Sequence, residues 1–193
     1  MITANLSDKA STAFDRRCNE ILTSHQTTIW KQTDRLFVGL LVFQFLAGIA
    51  AALWISPRAW EGLSNNSHPH IWAAIFLGGL IVSLPLYLAR KYPAREVTRH
   101  TIAAGQMLFS ALIIHLLGGR IETHFHIFGS LAFLAIYRDW RVLITATTIA
   151  TVDHLIRGHL FPQSVFGVAT VDPWLLYNSF GCITCFYRRT RSS

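Results

Sequence analysis

Charged residues are scarce in this sequence. Asp, Glu, Lys and Arg make up only 14% of the 193 residues, whereas soluble globular domains carry roughly 25%. Hydrophobic residues make up 52%, and the mean hydropathy is positive. This composition argues against an ordinary soluble domain and predicts a protein whose main partner is the lipid bilayer.

Other features are missing too, and each absence excludes a class of protein. The three cysteines, Cys18, Cys182 and Cys185, give no even disulfide framework. The polar N-terminus lacks a signal peptide's basic flank and apolar core, so we expect insertion through the first apolar helix. Glycine-rich nucleotide loops, zinc ribbons and the HExxH motif are absent. The 17 basic residues form no stripe interleaved with aromatics, so nucleic acid is not expected as a partner.

Apolar residues are instead concentrated in runs that approach the length needed to cross a bilayer, which is about 20 residues. The sequence predicts six membrane spans, at 36–55, 70–89, 100–117, 121–137, 142–157 and 173–187. Residues 1–33 are predicted to form a weakly amphipathic cytoplasmic arm, and residues 34–193 a single transmembrane domain. The predicted fold class is all-α, a polytopic membrane helix bundle.

The basic residues predict the orientation of the bundle. With six spans and a cytoplasmic N-terminus, 14 of the 17 basic residues lie on the cytoplasmic side. Only Arg58, Arg120 and Arg157 lie on the other side. Because cytoplasmic loops of membrane proteins carry such an excess of Lys and Arg, we expect both termini in the cytoplasm. The expected location is the bacterial inner membrane, as a multi-pass protein.

A separate group of ionisable residues falls inside or beside the predicted spans, where such residues are rare and mark functional sites. Counting 1.5 Å per residue from the basic edge places them about 18–24 Å above that edge. They therefore share one layer in the outer half of the membrane. The candidate site residues are His115, Glu122, His124, His126, Asp153 and His154.

Helical phasing separates these candidates. Glu122 and His126 are four residues apart and share a face of a helix. His124 points nearly the opposite way, so it joins them only if the backbone after Gly118-Gly119 is irregular.

Three interpretations fit the layer. Neutral imidazole is the commonest metal ligand, and carboxylates ligate or orient it, which predicts a transition metal or haem. Alternatively, interhelical hydrogen bonds hold the layer, with Glu122 and Asp153 neutralising Arg120 and Arg157. The third interpretation is a pH-responsive proton relay, because histidine titrates near neutrality.

The same residues carry a family resemblance. The motif is His115-x-x-Gly118-Gly119-x-Ile121-Glu122-x-His124-Phe125-His126, followed by Tyr137-x-Asp139-Trp140 and Asp153-His154. It resembles the multi-span membrane sensory input module of some bacterial methyl-accepting chemotaxis proteins, sensor histidine kinases and diguanylate cyclases. The resemblance implies a turn on the cytoplasmic side at Asp139-Trp140. It also implies a polar centre formed by His115, Glu122, His124, His126 and His154.

We therefore expect an inner-membrane sensory and signal-transduction module that binds a metal or metal-containing cofactor. The first-choice ligands are His115, Glu122, His126 and His154, with His124 and Asp153 as further candidates. The sixth helix is expected to carry the change to a cytoplasmic or membrane signalling partner, and a homodimer is a further expectation. No catalytic step is required.

The rival hypothesis is an integral-membrane metalloenzyme, an oxidoreductase or hydrolase, that uses the same residues. The sequence holds no recognisable signalling domain after the predicted sixth span, so we expect a stand-alone module, a truncated receptor or the partner of a separate transducer.

Overall fold

A computed structural model of the chain describes residues 2–54 and 71–167, and every regular element in these ranges is helical. The helices are α1 (Ile2–Trp54), α2 (Gly78–Lys91), α3 (Glu96–Leu116), α4 (Ile121–Leu134), α5 (Trp140–Leu160) and α6 (Pro162–Phe166). A π-helical turn at Ala73–Leu77 leads into α2, and a 3-10 turn at Ala135–Tyr137 follows α4. The all-α prediction is confirmed for the described ranges.

Three helices are long and apolar enough to cross a membrane: α1, α2 together with its π-helical turn, and α3. α4 has only 14 residues, which is short of the roughly 20 that a crossing needs. α5 has 21 residues but carries Asp153 and Arg157 in its second half. The predicted sixth span at 173–187 lies outside the described residues. The six-span count and the cytoplasmic termini therefore stay predictions.

α1 is longer than expected. The sequence predicted an arm at 1–33 and a separate span from 36, but the structure joins them in one helix of 53 residues, about 80 Å long. The reason is that no proline or glycine occurs before Gly39, so nothing interrupts helical hydrogen bonding. Side chains at 13–32 are exposed or half-buried, whereas Asp34, Phe37 and Leu41 are buried against the bundle.

α3 is the central helix, because it contacts α1, α2, α4, α5 and α6. Its face towards α2 uses a small residue for close approach. A Cβ atom at Gly105 would lie 2.8 Å from the ring of Pro85, which stands inside α2. Around α3 the apolar core divides into two clusters, one containing Ile102 and Met107 and the other Phe109 and Leu112.

The break between α3 and α4 is made by two glycines in the left-handed region, with φ of 70° at Gly118 and 71° at Gly119. Gly119 packs against the end of α6, where a Cβ atom would lie 2.4 Å from the backbone nitrogen of Gly167. Side chains avoid this φ region. The glycine pair therefore fixes where α4 begins, at Ile121, and hence which way its histidines face.

Replacing Gly119 with alanine should destabilise the protein by more than about 2 kcal/mol, because the new Cβ meets backbone atoms at a strained φ. Thermal unfolding of the detergent-purified protein measures this loss. The matched control is Gly129→Ala in α4, since a Cβ there meets nothing within 4 Å. Alanine should be neutral or slightly stabilising at that helical position. Equal unfolding temperatures for the two variants would contradict this account of the loop.

Candidate functional site

The two predicted carboxylates pair with arginines. In α5, the Nε of Arg157 donates to Oδ1 of Asp153 at 2.7 Å, and Nη2 donates to Oδ2 at 2.5 Å. Glu122 lies in the first turn of α4 and is largely exposed, with an oxygen 3.6 Å from the Nε of Arg120. These are the two charge pairs that the hydrogen-bonding interpretation predicted. Although α4 is regular from Ile121, Glu122 does not join His126 in a shared site.

His126 belongs to a hydrogen-bonded network that joins three helices. The hydroxyl of Ser110 in α3 donates to the carbonyl of Gln106 at 2.8 Å. The oxygen of Ser110 therefore accepts from the Nδ1–H of His126, also at 2.8 Å. This leaves Nε2 as the acceptor nitrogen, and the side-chain amide of Gln44 in α1 donates to it at 3.1 Å. The bonding pattern assigns a neutral imidazole with its proton on Nδ1.

The network continues behind His126 but is not saturated. The amide nitrogen of Gln106, which is fully buried, donates to the hydroxyl of Ser130 at 2.9 Å. The Oε1 atoms of Gln44 and Gln106 are both buried without a hydrogen-bond partner in the described structure. An unpaired buried acceptor costs about 1–3 kcal/mol. The interior of the bundle therefore holds unused hydrogen-bonding capacity close to His126.

His124 faces α5 instead, and its ring lies edge-on to that of His154, with 5.4 Å between the ring centroids. In both rings Nδ1 lies within hydrogen-bonding distance of a backbone carbonyl. The distance is 3.2 Å from His124 to the carbonyl of Arg120, and 3.0 Å from His154 to the carbonyl of Ala150. A carbonyl only accepts, so Nδ1 carries the proton in both rings. In a neutral ring Nε2 is then the lone-pair nitrogen, and the Nε2 of His124 is buried without a hydrogen-bond partner among the described residues.

The structure therefore divides the predicted layer between two places. His124 and His154 meet between α4 and α5, with Asp153 3.4 Å from the Nδ1 of His154. His126 faces α1 and α3, and His115 is half-buried in the last turn of α3. Within residues 2–54 and 71–167, no group of three or more His, Cys, Asp or Glu side chains is placed to hold a metal ion. The predicted metal or haem site finds no support there and stays a prediction.

A second polar cluster, the edge cluster, lies where α1 passes the turn after α4. Its centre is Asp34, a carboxylate only 1% exposed. The Tyr137 hydroxyl donates to one of its oxygens at 2.7 Å, and the backbone N–H of Ala94 donates to the other, also at 2.7 Å. The indole of Trp30 donates to the carbonyl of Tyr137 at 3.1 Å. Trp30 and Asp34 of α1 thus both form hydrogen bonds with Tyr137 in the turn.

An arginine completes the edge cluster. The guanidinium of Arg99 in α3 lies over the ring of Trp30, 3.8 Å from its centroid, which is a cation–π contact. Its Nη2 pairs with Asp139 at 3.3 Å. Asp139 also accepts from the backbone N–H of Arg141 at 3.1 Å and so caps α5. α1, α3, α5 and the turn after α4 are therefore connected at this edge.

Sequence reasoning missed most of the edge cluster. Tyr137 and Asp139 stood in the motif, but Asp139 was expected only to form a turn. The signal that could have found Asp34 is its position, since it is an acidic residue directly before an apolar run. Its partners are about 60 and 100 residues away in the sequence, so no local pattern predicts the pairing.

Comparisons with known proteins found that the chain is similar in sequence to a signalling protein. It is 29% identical over 120 residues to the transducer protein Htr8 of Halobacterium salinarum, a match that covers 61% of this chain and 18% of that protein. The chain thus matches less than a fifth of the transducer's length. No family model and no solved structure matches. This weak homology and the apolar helices are consistent with a sensory module of the chemotaxis type.

Replacing Tyr137 with phenylalanine should lower the unfolding temperature by several degrees, because one oxygen of the buried Asp34 loses its donor. Hydrogen bonds to charged groups contribute about 1.5–3 kcal/mol. The matched control is Tyr87→Phe, since Tyr87 is exposed and its hydroxyl accepts only from Lys91. Thermal unfolding in detergent compares the two variants. If both variants unfold at the wild-type temperature, the hydrogen bond from Tyr137 to Asp34 contributes nothing measurable to stability.

Proposed function

We propose that this chain is a membrane sensory and signal-transduction module of the inner membrane. Three helices long enough to cross a bilayer and the similarity to a transducer protein support the signalling role. The multi-pass arrangement with cytoplasmic termini is part of the proposal and rests on the distribution of basic residues.

The sensing element of this proposal is the contact between His124 and His154, and it is the observation that carries the proposal. Each imidazole is oriented by a carbonyl that accepts from Nδ1, and in its neutral form it would offer the lone pair of Nε2 to a metal. Histidines that ligate metals have this arrangement, because an outer hydrogen bond fixes their tautomer and orientation. We propose that the pair contributes two nitrogen ligands to a transition metal or metal-containing cofactor. Zinc, for example, takes four ligands in structural sites, so the remaining ligands come from the cofactor or from elsewhere in the chain.

α4 provides a route from this pair to the cytoplasmic edge. It holds His124 towards α5, and two residues later it holds His126 against Gln44 of α1. Eleven residues beyond His126, at the end of the turn that follows α4, Tyr137 binds Asp34 of the same α1. A displacement of α4 at the His124–His154 pair would therefore strain two hydrogen bonds to α1, one at Gln44 and one at Asp34. These two residues are about 15 Å apart along α1.

The metal part of the proposal is tested by elemental analysis and an absorption spectrum of the detergent-purified chain. We expect a stoichiometric transition metal in the wild type and at least a fivefold loss in His124→Ala and in His154→Ala, because each variant removes one ligand. His159→Ala is the matched control, since His159 is exposed on the same helix as His154. A wild type without metal, or full metal content in both variants, would contradict this part.

The signalling part has its own readout. If occupancy of the pair acts through α4, stripping the metal with a chelator should raise amide hydrogen exchange in the turn at Ala135–Tyr137. His154→Ala should exchange fast in that turn with or without chelator. Unchanged exchange in the wild type after stripping would separate metal binding from signalling and contradict the route through α4.

A further inference from the structure

Where α2 ends and α3 begins, the surface carries two cations held against two aromatic rings. Lys91 is the last residue of α2, and its Nζ lies 5.4 Å from the ring centroid of Tyr87 and 5.4 Å from that of Tyr92. The guanidinium of Arg95 lies 5.0 Å from the centroid of the same Tyr92 ring. These are cation–π contacts, so the rings keep two positive charges close together. We call these four residues the cationic cluster.

The charge of the cationic cluster is not neutralised by the part of the chain that the structure describes. Within that part, Lys91 and Arg95 form no ion pair, and both are exposed. The neighbouring acid, Glu96, pairs with Arg141 of α5 instead, at 3.4 Å. The hydroxyl of Tyr87 accepts from Lys91 at 2.9 Å, so its own O–H is left to donate. The cluster therefore offers positive charge and a hydrogen-bond donor to an anion.

The backbone beneath the cationic cluster is held by hydrogen bonds. The carbonyl of Tyr92 accepts at 2.6 Å from the hydroxyl of Thr98, which is fully buried. The N–H of Ala94 donates at 2.7 Å to Asp34 of α1. Groups that are already held in place lose less conformational freedom when a ligand binds. The cluster is therefore preorganised to receive a ligand.

An exposed apolar face of α2 leads to the cationic cluster. Leu80, Leu84, Tyr87 and Lys91 are four, three and four residues apart and so share one face of the helix. Leu80 and Leu84 are 69% and 56% exposed. The rise from Leu80 to Lys91 is about 16 Å, which is about half the thickness of a hydrocarbon core. Leu84 also lines a groove of about 480 Å³ beside α3, together with Val97. An apolar surface about one leaflet deep thus ends at two cations.

We infer that the cationic cluster and this face of α2 bind one anionic phospholipid. The phosphate lies at Lys91 and Arg95, the hydroxyl of Tyr87 donates to it, and an acyl chain lies along Leu84. Charge complementarity selects this occupant, because basic residues at the membrane surface attract anionic headgroups. A zwitterionic headgroup would bring its own cation towards two others. The inference rests on the proposed function only in that the chain spans a membrane, and it does not require the metal.

The test compares two lipids that have the same oleoyl chains, dioleoylphosphatidylglycerol and dioleoylphosphatidylcholine. Each is titrated onto the full chain after delipidation in detergent, and bound lipid is counted by native mass spectrometry. We expect the anionic lipid to bind at least about tenfold more tightly, because it meets two uncompensated cations. Lys91→Gln and Arg95→Gln should each weaken its binding by about fivefold and leave the zwitterionic lipid unchanged.

The matched control is Arg138→Gln, which removes the same charge at the same edge of the bundle. Arg138 is exposed and has neither an ion pair nor a ring contact among the described residues. We expect it to change binding by less than about twofold, since an isolated surface charge contributes little. Tyr92→Leu keeps both charges of the cluster but removes the ring that positions them. It should weaken binding of the anionic lipid by about two- to fivefold.

Equal binding of the two lipids would overturn the inference, and so would a loss in Arg138→Gln as large as that in Lys91→Gln. Displacement of the anionic lipid by millimolar inorganic phosphate would overturn it as well, because the site would then recognise free phosphate. Metal content is measured in the same preparations. Loss of the lipid preference with metal retained overturns this inference alone, and a metal-free chain that keeps the preference contradicts only the metal part of the proposed function.

Discussion

A buried polar group in an apolar bundle has to find its partner within the protein, because no water or lipid atom supplies one. α1 meets this constraint at two places, through Gln44 inside the bundle and Asp34 at its edge. Their partners, His126 and Tyr137, both belong to α4 and the turn that follows it. The register of α1 against α4 is therefore fixed by hydrogen bonds, while apolar contacts with the central α3 fill the space around them.

The helices themselves follow from the sequence because they depend on local patterns. Apolar runs and the Gly118-Gly119 pair predicted where α3, α4 and α5 begin and end to within a few residues. The prediction for α1 differed from the structure because the polar segment at its start was predicted to be separate from the apolar run that follows it. Helix continuity depends on the backbone, however, and no proline or glycine interrupts it. A change of polarity alone changes the environment of a helix without ending it.

The site followed from the sequence only in part. Helical phasing predicted that His124 and His126 face opposite ways on a regular helix, and in the structure the two side chains contact different neighbouring helices. It could not predict which neighbours, because periodicity gives a direction and not a partner. The membrane depth estimated by counting residues could not identify a partner either. His126 and His154 were expected at one level of the membrane, yet equal depth does not bring two helices into contact on the right faces.

The unpaired buried atoms show where the described bundle keeps unused hydrogen-bonding capacity. Around the histidines, Gln44, Gln106 and His124 each keep a buried acceptor with no donor among the described residues, and in the edge cluster Arg99 keeps two buried donors, Nε and Nη1, with no acceptor there. Such atoms cost about 1–3 kcal/mol each in the resting arrangement, so a rearrangement or ligand that supplies donors recovers part of that cost. α4 is also short, with 14 residues. At its far end, by contrast, both oxygens of Asp34 accept hydrogen bonds. α4 is thus bordered by unused acceptors where the histidines lie, and the turn that follows it is hydrogen-bonded to α1 at the edge. In the proposed function, a change near the histidines would reach α1 through that turn.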